Sequence, residues 1–153
     1  MDLCSARVNN VKCDFLVTVD YWSNFLEVDQ INNSEASTVI WRIKAHLARH
    51  GIQEEVETDN GPQFTSMRFK EFATEWMFKH VCTSLYYPQA NGMAESAAKT
   101  AKKITLTAVA SGSDPWLAFL AQRNTRAEGM ITSPAERQTD NRSSTIGAAS
   151  HKA

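Results

Sequence analysis

Along this chain the apolar positions switch between runs of period two and stripes of period three to four, and each switch marks an element. "CDFLVTVD", Cys13 to Asp20, is β-branched and apolar enough for a buried strand, and "FLEVDQI", Phe25 to Ile31, follows after a short turn, which predicts a hairpin. Met1 to Ser5 reads as a further strand beside them. From Ser34 to His50, Val39, Ile40, Ile43 and Leu47 recur at helical spacing and Gly51 supplies the stop. A short strand, Glu54 to Thr58, then runs into a turn at Asp59, and Phe69, Phe72 and Trp76 mark the core face of a second helix. Lys79 to Ser84 reads as another strand, broken by "YYPQANG" because proline cannot continue a ladder and Asn-Gly favours a loop.

An alanine-rich helix is predicted from Met93 to Val109, and "SGSDP" closes it and caps a last helix carrying Trp116, Leu117, Phe119 and Leu120. Beyond Glu136 the periodicity stops, so residues 1–136 are expected to form one domain and residues 137–153 a structureless tail. A hairpin-led sheet followed by helices implies α/β layering, and the connection through the first helix implies a parallel strand pairing.

Composition narrows the possibilities further. The 153 residues suit a single domain that needs no covalent staples, and three widely separated cysteines without a Cys-x-x-Cys pair read as reduced thiols of a nuclear or cytoplasmic protein. No apolar run approaches a membrane span and no signal-peptide core opens the chain, so neither a membrane partner nor secretion is expected. A formal net charge of −1 is not that of a typical nucleic-acid binder, although Lys99 to Lys103 is locally cationic. His46 and His50 have the spacing of two metal ligands on one helix face, but the sequence offers no second ligand pair nearby to complete a zinc site.

The chemistry-bearing positions are carboxylates. Asp59 stands in "VETDNGPQFTS", where Asn-Gly is ordinary turn chemistry at the carboxyl end of a strand, a usual place for active acids in open α/β sheets. Glu95 falls in the first turn of the alanine-rich helix, where the helix dipole favours a negative side chain, and thirty-five residues, 60–94, separate the two. Carboxylates that converge repel one another, and a divalent cation with hard oxygen ligands, Mg2+ or Mn2+, is the usual resolution. Two such ions suit phosphodiester chemistry on a nucleic acid.

"MDLC", "FLVTVDYWSNFLEV", "ARHGIQEEVETDNGPQFTS", "FKHVCTSLYYPQANGMAES" and "DPWLAFLAQRNT" together resemble the catalytic core of retroviral and Gypsy-type LTR-retrotransposon integrases, in order and over roughly residues 1–136. The resemblance implies a ribonuclease-H-like α/β fold, a mixed five-stranded sheet flanked by helices. It implies a metal-dependent polynucleotidyl transferase that processes DNA 3′ ends and transfers strands, with Asp2, Asp59 and Glu95 as catalytic acids and ligands of two Mg2+ ions. It also implies DNA as partner, a homodimer and no small-molecule substrate, with Asn60 and Asn91 lining the site and Lys99 and Lys102 touching DNA phosphates. Glu95, Lys99 and Lys102 do share one helix face, although a surface Glu-to-Lys pair explains the first two equally simply. Asp20 is a rival first acid by composition, but it lies at the far end of a hairpin strand, where a turn role suits it better.

Three departures from the family pattern stand out. Asp2 sits one residue from the chain start, where a fraying end and a charged α-amino group would disturb a cation site. Arg126 follows "RNT" where proline is usual, and "SPAERQTDNRSS" abandons the apolar and basic continuation. The zinc-binding and DNA-binding modules that flank the core in full integrases are not in this sequence. These departures leave an alternative from another class, a catalytically inactive integrase-derived remnant that dimerises or binds a partner.

Overall fold

The computed structural model describes residues 1–83 and 92–140. Its first three strands form an antiparallel sheet in the order β1 (Asp2–Val8), β2 (Val11–Val19) and β3 (Leu26–Ile31). Asn9 and Asn10, with φ of 50° and 64°, make the two-residue turn that joins β1 to β2. Two successive positive φ angles match the twist of a tight hairpin, and asparagine tolerates them better than most residues. Asp20 and Phe25 close the second connection through a backbone hydrogen bond of 3.0 Å.

Strand alternation sorts the core into two halves. Leu16 and Ile31 face α1 (Ala36–His50) and α3 (Met67–Glu75), packing with Val39, Ile43, Leu47, Phe69 and Phe72. Phe15, Val17, Leu26 and Val28 face the other way, toward α4 (Gly92–Ala110) and α5 (Pro115–Asn124), packing with Ala98, Ala101 and Phe119. This accounts for the unbroken apolar run in β2, since a central strand covered on both faces has no side to leave polar.

β4 (Glu55–Thr58) and β5 (Lys79–Cys82) pair in parallel, joined through the short α2 (Pro62–Thr65) and α3. The parallel connection therefore runs through the second long helix rather than through α1, as the sequence order had implied. The expected five strands divide into a three-stranded antiparallel and a two-stranded parallel set. The Met1 amino group, donating to Glu57 O at 2.6 Å, ties one to the other at the start of β1.

Residues 137–140, assigned from the sequence to a structureless tail, continue a helical stretch that covers 134–140. Its start is a reciprocal cap: Ser133 N donates to Glu136 Oε2 at 2.6 Å and Glu136 N donates to Ser133 Oγ at 3.3 Å. "SPAE" carries the capping-box spacing, a signal in the sequence that the loss of apolar periodicity concealed. Arg137 Nη2 and Nε donate to Ser23 O at 2.7 and 3.0 Å, docking this stretch on the β2–β3 connection.

A charge clamp fastens α1 to β3. Glu27, Asp29 and Ile31 share the α1 side of the strand, and His46 donates from Nδ1 to Glu27 Oε2 at 2.8 Å and from Nε2 to Asp29 Oδ2. His50 Nε2 and Arg49 Nη2 add contacts to Glu27 at 2.8 and 3.1 Å. Burial pulls the His46 pKa down, but hydrogen bonds to Asp29 and Glu27 outweigh it and hold the ring up at about 9. Burial likewise opposes the Glu27 charge, yet the His46 and His50 hydrogen bonds keep its carboxyl well below the ordinary range. Because the folded His46 value lies above its unfolded 6.5, the clamp stabilises fully below pH 6.5 and fades as pH rises through about 9. Urea midpoints should fall between pH 7 and 9.5 in the wild type. His46→Gln should cost roughly 2 kcal/mol at pH 6 and flatten that pH dependence, because Asp29 loses its imidazolium partner and Glu27 is left with His50 and Arg49.

Candidate functional site

A stripe of small residues fixes the site. Ala94, Ala98, Ala101 and Ala108 are buried along one side of α4, and Ala98 and Ala101 meet Ala6, Phe15 and Val17 of the sheet. Side chains this short let the helix axis lie close to β1 and β2. Glu95, next to Ala94, emerges at the margin of that contact in the first turn of the helix. Asp2 opens β1 opposite Val17, on the α4 side of the strand with Cys4 and Ala6.

β4 brings the third acid. Val56 packs in the α1 and α3 half of the core and Thr58 is fully buried, and Asp59 follows at the end of the strand, where its charge reaches Asp2. The turn after Thr58 is held from several directions. Gly61 N donates to Asp59 Oδ1 at 3.0 Å, Asn60 Nδ2 donates to Thr83 O at 2.9 Å, and Thr83 N donates to Thr58 O at 2.9 Å. A Cβ on Gly61 would stand 3.0 Å from Asp59 Oδ1 and 2.2 Å from Gln63 Nε2, so a larger residue there would have to displace the Gln63 side chain.

Asp2 is near enough to Asp59 and to Glu95 to sense the charge of each. The Asp2 carboxyl is pushed above its ordinary value by burial first, then by the charge of Asp59, with a further contribution from Glu95. The Leu3 N–H, donating to Asp2 Oδ1 at 2.8 Å, acts in the opposite direction. Asp2 is thus ordered within a strand and partly buried, not on a frayed end. Asp20, by contrast, accepts from Ser23 N at 2.8 Å and Ser23 Oγ at 2.5 Å, and serves as a turn residue.

Among the other residues singled out from the sequence, Asn60 braces the turn through Thr83, and Asn91 lies outside the described residues. Lys99 Nζ pairs with Glu95 Oε1 at 3.0 Å, and both are exposed. Lys102 is exposed one turn further along, close enough for its charge to act on the Cys4 thiol. Cys4 itself is pushed up by burial and then by the Asp2 charge.

A second constellation escaped sequence reading. Glu27, Asp29 and His46 offer ligand atoms within 4.8 Å of one another, so the partners missing beside His46 come from β3. The strand spacing Glu-x-Asp places both acids on one face, but nothing in the sequence pairs that face with α1. Both His46 ring nitrogens already donate to carboxylates, so protons bridge this cluster as it stands.

Comparison with known proteins identifies the family and the fold. The family model described as integrase core domain matches residues 1–88. The chain is 35% identical over 86 residues to the Gag-Pro-Pol polyprotein of squirrel monkey retrovirus, an alignment covering 56% of this chain and 5% of that protein. The fold matches the catalytic core domain of BIV integrase with a TM-score of 0.72 and 20% identity, over 95% of this chain and 96% of that one. It also matches the dimeric form of the HTLV-2 integrase catalytic core in complex with magnesium, with a TM-score of 0.71 and 19% identity, over 90% and 92% of the two chains. The chain spans 5% to 7% of the length of the first curated relatives it matches. The architecture is therefore the ribonuclease-H-like fold of integrase cores, and the chain belongs to the integrase core domain family.

Proposed function

We propose that this domain is a metal-dependent polynucleotidyl transferase core that acts on DNA 3′ ends, with Asp2, Asp59 and Glu95 as its acids. The observation that carries the reading is the coupling of Asp2 to both Asp59 and Glu95, three carboxylates delivered to one side of the sheet by β1, the β4 turn and α4. An oxygen-only donor set of this kind fits Mg2+ or Mn2+ rather than zinc. Two such ions, when bound, would lower the pKa of an attacking hydroxyl and stabilise the leaving oxygen of a phosphodiester.

The chain's own residues have separable tasks. The hydrogen bond from Gly61 N orients the Asp59 carboxylate, and the Asn60–Thr83 brace keeps the turn from opening toward solvent. Lys99 pairs with Glu95 in this structure, and if that carboxylate held a cation the lysine would be available to a DNA phosphate. Lys102, on the same face of α4, extends the cationic strip away from the acids.

Homodimerisation belongs to the same proposal. Only Phe119 of the α5 aromatic and leucine set is buried, while Trp116, Leu117 and Leu120 are 53%, 64% and 51% exposed. An apolar face of that kind, beside the dimeric HTLV-2 core among the fold's neighbours, supports self-association through α5. Cys4, Cys13 and Cys82 are all free thiols, in keeping with a nuclear or cytoplasmic setting, and no helix among the described residues is long and apolar enough to cross a membrane.

Cleavage of a branched DNA substrate tests the central claim. Mn2+ should raise the wild-type melting temperature and support cleavage, and Asp59→Asn or Glu95→Gln should remove both effects. Cleavage that survives in either variant would refute the acid assignment, and a wild type that binds Mn2+ yet never cleaves would point to the inactive remnant. Lys99→Ala with Lys102→Ala should weaken DNA binding and reduce the slope of log K against log salt by about 2, measured by fluorescence anisotropy. Leu117→Glu with Leu120→Glu should shift sedimentation toward monomer while leaving the fold's circular dichroism unchanged.

A further inference from the structure

Beneath the Asp59 turn lies a polar cluster that no part of the proposed chemistry uses. Thr58 is completely buried, and its hydroxyl contacts three groups: Asp59 O at 2.9 Å, His80 Nε2 at 2.8 Å and Cys82 Sγ at 3.8 Å. His80 and Cys82 come from β5, whose parallel register sets His80 opposite Val56 and Cys82 opposite Thr58. The imidazole packs on the Phe69 ring at a centroid distance of 4.5 Å, which limits its freedom to turn.

The proton count orders these contacts. A threonine hydroxyl carries one hydrogen and can also accept. With that hydrogen directed at Asp59 O, the contact with His80 requires the ring to donate from Nε2. The result is a chain in which His80 Nε2–H donates to Thr58 Oγ1 and Thr58 Oγ1–H donates to Asp59 O. Asp59 O belongs to the peptide that turns the chain toward Asn60, so fixing it fixes the direction in which the Asp59 side chain leaves the backbone. Gly61 N then sets the carboxylate from the other end.

We propose that His80 is a positioning residue for the Asp59 carboxylate, acting through the Thr58 hydroxyl. The inference rests on the assignment of Asp59 as a cation ligand. His80 touches neither cation nor DNA in this scheme. It restricts the turn so that Asp59 meets the cation in one orientation, the role that hydrogen-bonding partners behind metal ligands commonly play.

Four variants separate this role from simple packing. His80→Gln can place an amide N–H near the Nε2 position and His80→Leu cannot; Thr58→Ser keeps the hydroxyl and Thr58→Val removes it at nearly equal volume. Mn2+ affinity by calorimetry, with kcat and KM on branched DNA, should be read well below each variant's melting temperature. His80→Leu and Thr58→Val should weaken Mn2+ binding by about tenfold and lower kcat with little change in KM, whereas the Gln and Ser variants should recover to within about threefold of wild type. Nitrogen-15 shifts of the His80 ring should show Nε2 protonated in the wild type. Unchanged Mn2+ affinity in Thr58→Val, equal impairment of His80→Gln and His80→Leu, or a ring protonated only at Nδ1 would overturn the proposal. Asp59→Asn is the control for the underlying assignment: if it binds Mn2+ like the wild type, the metal site itself is misassigned and this inference falls with it. Loss of Mn2+ binding in Asp59→Asn, with none in His80→Leu or Thr58→Val, removes the positioning role alone.

Discussion

The contact on which the rest depends is the alanine face of α4 against β1 and β2. Ala98 and Ala101 meet Ala6, Phe15 and Val17, and Ile104 is the large α4 side chain packed beside them. Apolar burial there is modest per residue, but the small volumes let the helix approach closely, and close approach is what sets Glu95 beside a strand carrying Asp2. A Leu at Ala98 would add area and yet separate the acids, so the stripe answers to geometry more than to hydrophobic stabilisation.

The molecule holds two concentrations of negative charge and resolves them differently. Glu27 and Asp29 face His46, His50 and Arg49, and protons shared with imidazole satisfy the carboxylates inside the fold. Near Asp2, Asp59 and Glu95 the positive charges are the Met1 amino group, which donates to Glu57 O and whose charge acts on Asp2 and Asp59, and the exposed Lys99, which pairs with Glu95. The Asp2 carboxyl is held up by burial and then by the charges of Asp59 and Glu95, whereas Glu27 is held down by its histidine partners despite its burial. One cluster is locked by its own counter-charges; in the other, Asp2 meets the like charges of Asp59 and Glu95. That contrast separates a structural clamp from a candidate metal centre better than a count of acids does.

Between the two clusters runs β4, and its four residues serve both halves of the molecule. Val56 packs in the α1 and α3 half of the core, Thr58 is fully buried, Glu57 accepts from the Tyr21 hydroxyl at 2.7 Å, and the Asp59 turn follows at the strand's end. The polar chain through Thr58 and His80 lies inside this strand pair, so order in the buried half is transmitted to the carboxylate in the open half. A short parallel pairing has few ladder bonds of its own, which makes such side-chain bonds a larger share of what holds the turn.

Much of this was legible in the linear chain, wherever neighbours in sequence decide the outcome. Helical spacing of Val39, Ile43 and Leu47, the stop at Gly51 and the Asp114–Pro115 cap all act within a turn or two of backbone. Asp20 was readable as a turn acid for the same reason. Only the tertiary structure could bring Glu27 and Asp29 to His46, hang Asp59's orientation on a histidine twenty-one residues away, or leave Trp116, Leu117 and Leu120 outside while burying Phe119. These depend on which face of one element meets which face of another. Periodicity reports that a face exists, but the choice of its partner is made by sheet order, strand register and the closeness that small side chains permit.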